Sequence, residues 1–240
     1  MDRLLIEDLK IWKDKSDRKP LILRGARQVG KTWLLKDFGE KCFKDICYVN
    51  FEQKDMLGKI FEGTLSPQRI IEQLSVFHGK KIQPQETLLI FDEVQELPRA
   101  LTSLKYFAEE APEYAICCAG SLLGVALHEG TSFPVGKVDF LDLYPLSFRE
   151  FLMANDEQML VDYIMSGNRD LKVFEEKLID YLKKYFIIGG MPAAILKWLD
   201  THDFFEVDDV QKQILSAYTN DFSKHAPRQL VEKIRYVWDS

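Results

Sequence analysis

The sequence predicts an α/β fold, a mostly parallel sheet flanked by helices and followed by a helical region, from three observations. A glycine-bearing loop, Gly25–Thr32, stands between a short apolar run and a helical pattern. Apolar, strand-like runs alternate with helical stretches as far as about residue 143. From Ser147 onward only helical patterns recur. Alternation of strands and helices favours parallel pairing, because each crossover lays a helix on a sheet face.

Residues 2–15 read as an amphipathic helix leading into the first strand. The run Lys19-Pro20-Leu21-Ile22-Leu23-Arg24 is short, apolar and proline-bounded, as a buried strand is. Trp33 to Phe38 has helical spacing, with Gly39 as its expected stop. Ile46 to Phe51, β-branched and aromatic, is a second strand. Ser66 before Pro67 reads as an N-cap with proline in the first helical position, opening a helix to about His78 that Gly79 ends. Thr87 to Phe91 is a third strand, apolar throughout and stopped by Asp92-Glu93. Pro98 opens a helix to about Glu110, Tyr114 to Ala119 forms a fourth strand, and Val138 to Leu143 a fifth before Pro145. The expected organisation is a core over residues 1–155 and a helical lid over 156–240. The last residues stop in an amphipathic pattern without a glycine or proline, which reads as truncation before a further C-terminal domain.

Composition narrows the class. A chain that is 46% apolar and 29% charged belongs with soluble globular proteins and can bury a sizeable core. A net charge of -6 argues against a generally basic nucleic-acid surface, while leaving room for a local basic stripe. Cys42, Cys47, Cys117 and Cys118 contain no C-x-x-C pair, and the four histidines form no cluster, so buried free thiols are expected rather than disulfides or a metal centre. The N-terminus has no signal-peptide segment and no run reaches ~18 apolar residues. The expectation is a cytoplasmic protein with no membrane association.

Gly25-Ala26-Arg27-Gln28-Val29-Gly30-Lys31-Thr32 fits G-x-x-x-x-G-K-S/T, the phosphate-binding loop, in the strand–loop–helix context that the motif requires. Its main-chain N–H groups can close around β- and γ-phosphates, aided by the N-terminus of the next helix, on which Trp33 follows. Lys31 places a point charge on those phosphates and counts with the catalytic set, and the Thr32 hydroxyl is a ligand for Mg²⁺. Asp92, at the carboxyl end of a buried strand, is the second anchor for the metal. Glu93 can polarise a water for attack on the γ-phosphate; alternatively it begins a helix or loop in solvent. Ser121, after the fourth strand, could hydrogen-bond the γ-phosphate or the water, or could cap the following helix. No D-x-x-G follows the third strand and no N-K-x-D occurs, so GTP is disfavoured and ATP is inferred partly by exclusion.

The loop, the Leu88-Leu89-Ile90-Phe91-Asp92-Glu93-Val94-Gln95 strand end, Ala119-Gly120-Ser121-Leu122-Leu123, Phe133-Pro134-Val135-Gly136-Lys137 and Leu143-Tyr144-Pro145-Leu146-Ser147-Phe148-Arg149-Glu150-Phe151 together resemble one family. It is the family of prokaryotic AAA+-like P-loop ATP-binding proteins that carry a C-terminal domain of uncharacterised role. One strand, residues 46–51, intervenes in sequence between the loop strand and the Asp92 strand, which agrees with the extra-strand, catalytic-glutamate division of P-loop NTPases, and the resemblance implies members longer than this chain. Gly189-Gly190-Met191-Pro192-Ala193 is similar to the G-x-P signature in the lid of related signal-transduction ATPases, which implies contact between Pro192 and the nucleotide. Read alone, the same residues form a helix stop and a proline-led helix start. The expected arginine finger has no match: Lys137 stands in that region, and Arg149 and Arg228 come later. The functional expectation is Mg²⁺-dependent ATP binding and hydrolysis coupled to movement of the lid and C-terminal region. The alternative is a slowly hydrolysing, nucleotide-gated signalling switch. Expected partners are ATP or ADP and a protein or nucleic-acid client; the residues assign no oligomeric state.

Overall fold

Five strands pair in parallel in the computed structural model, which describes residues 1–52, 54–120, 134, 136–167, 171–225 and 228–238. They are β1 (Leu21–Arg24), β2 (Asp45–Asn50), β3 (Thr87–Asp92), β4 (Ala115–Ala119) and β5 (Asp139–Asp142). Their order across the sheet is β2-β3-β4-β1-β5. The strand between β1 and β3 in space is therefore β4, while β2, which intervenes between them in sequence, lies at an edge. Register places Asn50 beside Asp92 and Arg24 beside Asp142. The carboxyl ends of all these strands thus share one edge, where open α/β sheets bind ligands.

By contacts the chain divides into two units: residues 3–26 with 30–144, and residues 1–2, 27–29 and 145–240. The first contains the sheet and the helices α1 (Ile6–Asp14), α2 (Lys31–Cys42), α3 (Lys54–Phe61), α4 (Pro67–His78) and α5 (Pro98–Glu110). Every residue of β3 is buried, as its unbroken apolar run requires. β2 alternates instead: Cys47 and Val49 are buried in the main core, while Tyr48 and Asn50 on the opposite face are half-buried. Phe51, Phe61 and Phe91 close that core as three edge-to-face pairs, with centroids 5.4 to 5.9 Å apart.

Gly39 does not stop α2, as its residue type suggested; the helix runs on to Cys42. A Cβ at Gly39 would lie 2.7 Å from Ile46 and 3.2 Å from Leu88, so the glycine lets the helix approach the sheet closely. Gly79, by contrast, ends α4 in the left-handed region as expected. α3 had no counterpart among the expected elements; it is short and contains Gly58, which weakens its helical pattern.

The second unit is helical: α6 (Phe148–Ala154), α7 (Gln158–Met165), α8 (Glu175–Ile188), α9 (Pro192–Thr201), α10 (Phe204–His225) and α11 (Arg228–Trp238). Part of the Leu143–Phe151 segment is a helix start. The Ser147 hydroxyl accepts from Glu150 N–H and the Glu150 carboxylate accepts from Ser147 N–H, a complete capping box. Its core gathers Leu146, Phe151, Ile188, Ile195, Trp198 and Val207. The chain before α6 is pinned to the turn between α8 and α9, because Leu146 N–H donates to the Gly190 carbonyl at 2.7 Å.

A Cβ at Gly190 would stand 2.3 Å from the Leu146 carbonyl oxygen and 3.0 Å from Pro145. Backbone cannot retreat as a side-chain tip can. Gly190→Ala should therefore destabilise the helical unit by about 1–3 kcal/mol, the scale of overpacking. Urea unfolding followed by circular dichroism measures it; an unchanged midpoint would show that the turn relaxes freely.

Candidate functional site

The loop after β1 turns back on itself through residues with positive φ: Gly25 at 155°, Gln28 at 64° and Gly30 at 93°. Gly30 is the N-cap of α2 and contributes no side-chain cap, leaving the first N–H groups of the helix to point out of its end. Val29 is fully buried and anchors the loop. Lys31 is also buried, and its ammonium donates to the carbonyls of Gly25 and Ala26, both at 2.8 Å, so it lies across the loop's concave side. Trp33, one residue further, is about half exposed.

Thr32 and Asp92 meet, 60 residues apart in sequence. The Thr32 hydroxyl donates to Asp92 Oδ2 at 2.8 Å. Tyr48, two strand positions before the residue that pairs with Asp92, donates its hydroxyl to the same oxygen at 2.8 Å. Glu93 N–H donates to Asp92 Oδ1 at 3.1 Å. The carboxylate is only 5% exposed, and a charge so buried needs such donors. Burial, and then the bond to Asp92, push the Tyr48 hydroxyl above the usual phenol range, so it stays a donor. Lys36 stands over the Tyr48 ring, 3.8 Å from its centroid. One hydroxyl and one carboxylate, side by side, are the hard oxygen donors that suit Mg²⁺ delivered with phosphate, which keeps most of its shell as water and phosphate oxygen.

Glu93 is half-buried and sits at φ 49° and ψ 44°, a left-handed conformation uncommon for glutamate. A 3₁₀ turn, Val94–Glu96, follows it, so Glu93 begins a turn while being half-buried rather than open to solvent. Gln95 donates its amide to Glu93 Oε2 at 2.5 Å. Ser121 lies outside the described residues. Lys137 is paired with Glu109 at 3.0 Å, which accounts for it as a surface charge.

Arg27, at the loop tip, is ion-paired with Asp221 on α10, and the Tyr218 hydroxyl donates to the Arg27 carbonyl at 2.7 Å. Pro192 begins α9 just after Gly189 caps α8 in the left-handed region, so a helix stop and start account for both. Tyr48, Gln95, Tyr218 and Asp221 went unread in the sequence. Tyr48 alone had a legible signal, as a polar-tipped aromatic on the second strand. All four cysteines are free; burial pushes the Cys47 thiol up to about 12 and holds Cys117 and Cys118 above the ordinary thiol range. Among the described residues no group of three His, Cys, Asp or Glu could hold a metal, and no helix is long and apolar enough to cross a membrane.

A family model described as an AAA domain matches residues 17–152, more than half of the 240. A second model, a domain of unknown function, matches residues 179–240. No curated protein matches the chain. Among solved structures, the Walker-type ATPase PABY2304 of Pyrococcus abyssi superposes with a TM-score of 0.58 at 18% identity, over 95% of this chain and 77% of that one. The Drosophila ORC bound to DNA gives 0.47 at 15% identity, over 90% of this chain and 60% of that one. At 18% identity the likeness to the Pyrococcus abyssi ATPase is one of fold.

Removing the Lys31 ammonium leaves the loop's carbonyls without their cation and any bound phosphate without a point charge. Lys31→Ala should weaken ATP binding at least ~10-fold, the scale of hydrogen bonds to charged groups. Calorimetry on the folded variant would show otherwise if the affinity equalled that of the parent.

Proposed function

The chain belongs to the AAA domain family, and on that basis we propose that it binds ATP with Mg²⁺ and hydrolyses it. The observation that carries this reading is the meeting of Thr32, at the start of the phosphate-loop helix, with Asp92 at the end of β3. Thr32 and Asp92 would hold Mg²⁺, which supplies charge neutralisation across the phosphates. Lys31 can exchange neutral carbonyl acceptors for anionic phosphate oxygens, a stronger class of hydrogen bond. Glu93 accepts a proton from the attacking water. The water oxygen then bonds to the γ-phosphorus, the bond to the β–γ bridging oxygen breaks, and its electron pair departs with ADP.

Coupling to the C-terminal helices rests on a separate observation. The loop tip, residues 27–29, belongs with the helical unit, where Asp221 and Tyr218 hold Arg27. Contact between Pro192 and the nucleotide rests on the likeness of Gly189–Pro192 to the G-x-P signature alone. In this reading an ATP-dependent shift of the loop tip is transmitted to α10. This also favours the second reading, a slow switch, because a loop held through its tip must change partners during turnover. A client, whether protein or nucleic acid, would read the state of those helices.

Glu93→Gln keeps shape and removes the basic oxygen. ATP binding should persist while turnover falls ~10²-fold or more, the scale of general-base catalysis. Asp92→Asn should instead weaken the Mg²⁺ dependence. Steady-state assays across Mg²⁺ concentrations separate the two, and parent-rate turnover in Glu93→Gln would remove the glutamate from the mechanism.

Asp221→Asn frees the Arg27 guanidinium for phosphate. The pair is partly exposed, so ATP should bind more tightly by no more than ~5-fold. Identical affinities for parent and variant by calorimetry would leave the loop tip and α10 uncoupled.

A further inference from the structure

We infer that Gln95 is a positioning residue for hydrolysis, one whose amide orients both the Glu93 carboxylate and the attacking water. The inference rests on the ATPase reading above. Gln95 Nε2 donates to Glu93 Oε2 at 2.5 Å. The other end of the same amide, Oε1, is buried and has no hydrogen-bond partner among the described residues. A carbonyl oxygen in that state has lost water without gaining a donor, and native proteins keep few such atoms without a reason. Its neighbour Glu93 is held in a left-handed backbone conformation, a second local cost at the same turn.

The two ends of an amide are coplanar and close together. A donor bound at Gln95 Oε1 therefore lies beside the carboxylate that Nε2 holds. The attacking water has two hydrogens to place. One goes to the Glu93 carboxylate, which takes that proton as the oxygen bonds to the γ-phosphorus and ADP leaves with the electron pair. The other is accepted by Gln95 Oε1, which the turn uncovers as nucleotide binds, and this fixes the direction of the oxygen lone pair. Val94, wholly buried beside Gln95, anchors the turn that presents this amide. Glutamine is suited to the task because it donates and accepts at once, and a glutamate here would repel Glu93.

The test compares the parent, Gln95→Met, Glu93→Gln and the double variant, using ATP as ligand and substrate. Methionine keeps the length of the side chain and removes both polar ends. In Gln95→Met we expect ATP affinity within ~2-fold of the parent, kcat lower by ~10-fold or more with little change in KM, and a melting temperature without ligand equal to or above the parent's. That last result follows because an unpartnered buried oxygen has been removed. The double variant should turn over no more slowly than Glu93→Gln alone, since both residues act on one water. Parent-level kcat in Gln95→Met overturns the inference and leaves the ATPase reading intact. So does a lowered melting temperature with kcat unchanged, or a loss that adds in full to that of Glu93→Gln. A parent chain that binds ATP without turning it over overturns both.

Discussion

The structure depends on one buried carboxylate. Asp92 ends a strand whose every residue is buried, and a polar group buried there needs hydrogen-bond donors. Three elements supply them: α2 through the Thr32 hydroxyl, β2 through the Tyr48 hydroxyl, and the turn after β3 through Glu93 N–H. Satisfying this carboxyl group therefore ties α2 to the far edge of the sheet. It also places a hydroxyl and a carboxyl group together at the strand ends.

The rest of α2 follows from that tie. Thr32 reaches Asp92, Lys36 covers the Tyr48 ring, and Gly39 lets the helix pass Ile46 and Leu88. These positions recur every three or four residues, so one face of the helix tracks down the sheet. A larger residue at 39 would press on the side chains of Ile46 and Leu88. The helical unit shows the same logic, with Gly190 admitting the Leu146 backbone and a capping box setting the start of α6.

Local costs gather around the proposed chemistry. Gln28 and Glu93 take left-handed backbone conformations, Gln95 Oε1 is buried without a partner among the described residues, and the Asp92 carboxyl group is buried at the sheet edge. None of these contributes stability. Costs of this kind are met where function is maintained against stability, and positive φ occurs also at Gln85, Asp156 and His202. The apolar core of the sheet, with its three edge-to-face phenylalanines, offsets them.

The sequence by itself determined the α/β class, the five strands, the loop Gly25–Thr32 between a strand and a helix, and Asp92 with Glu93 at a strand end. It could do so because these signals are local: apolar runs, glycines at fixed spacing, and a proline or cap at a helix start. The tertiary structure decided what depends on approach between distant segments. Gly39 looked like a helix stop because residue type reports backbone freedom, whereas its use here is to leave room for Ile46. Tyr48 and Thr32 share an acceptor only because β2 pairs with β3 in a register that sets Asn50 beside Asp92. Arg27 meets Asp221 across 194 positions, a separation at which no periodicity can act. Sequence patterns encode which face of an element is apolar; which polar atoms meet is fixed only once those faces have packed.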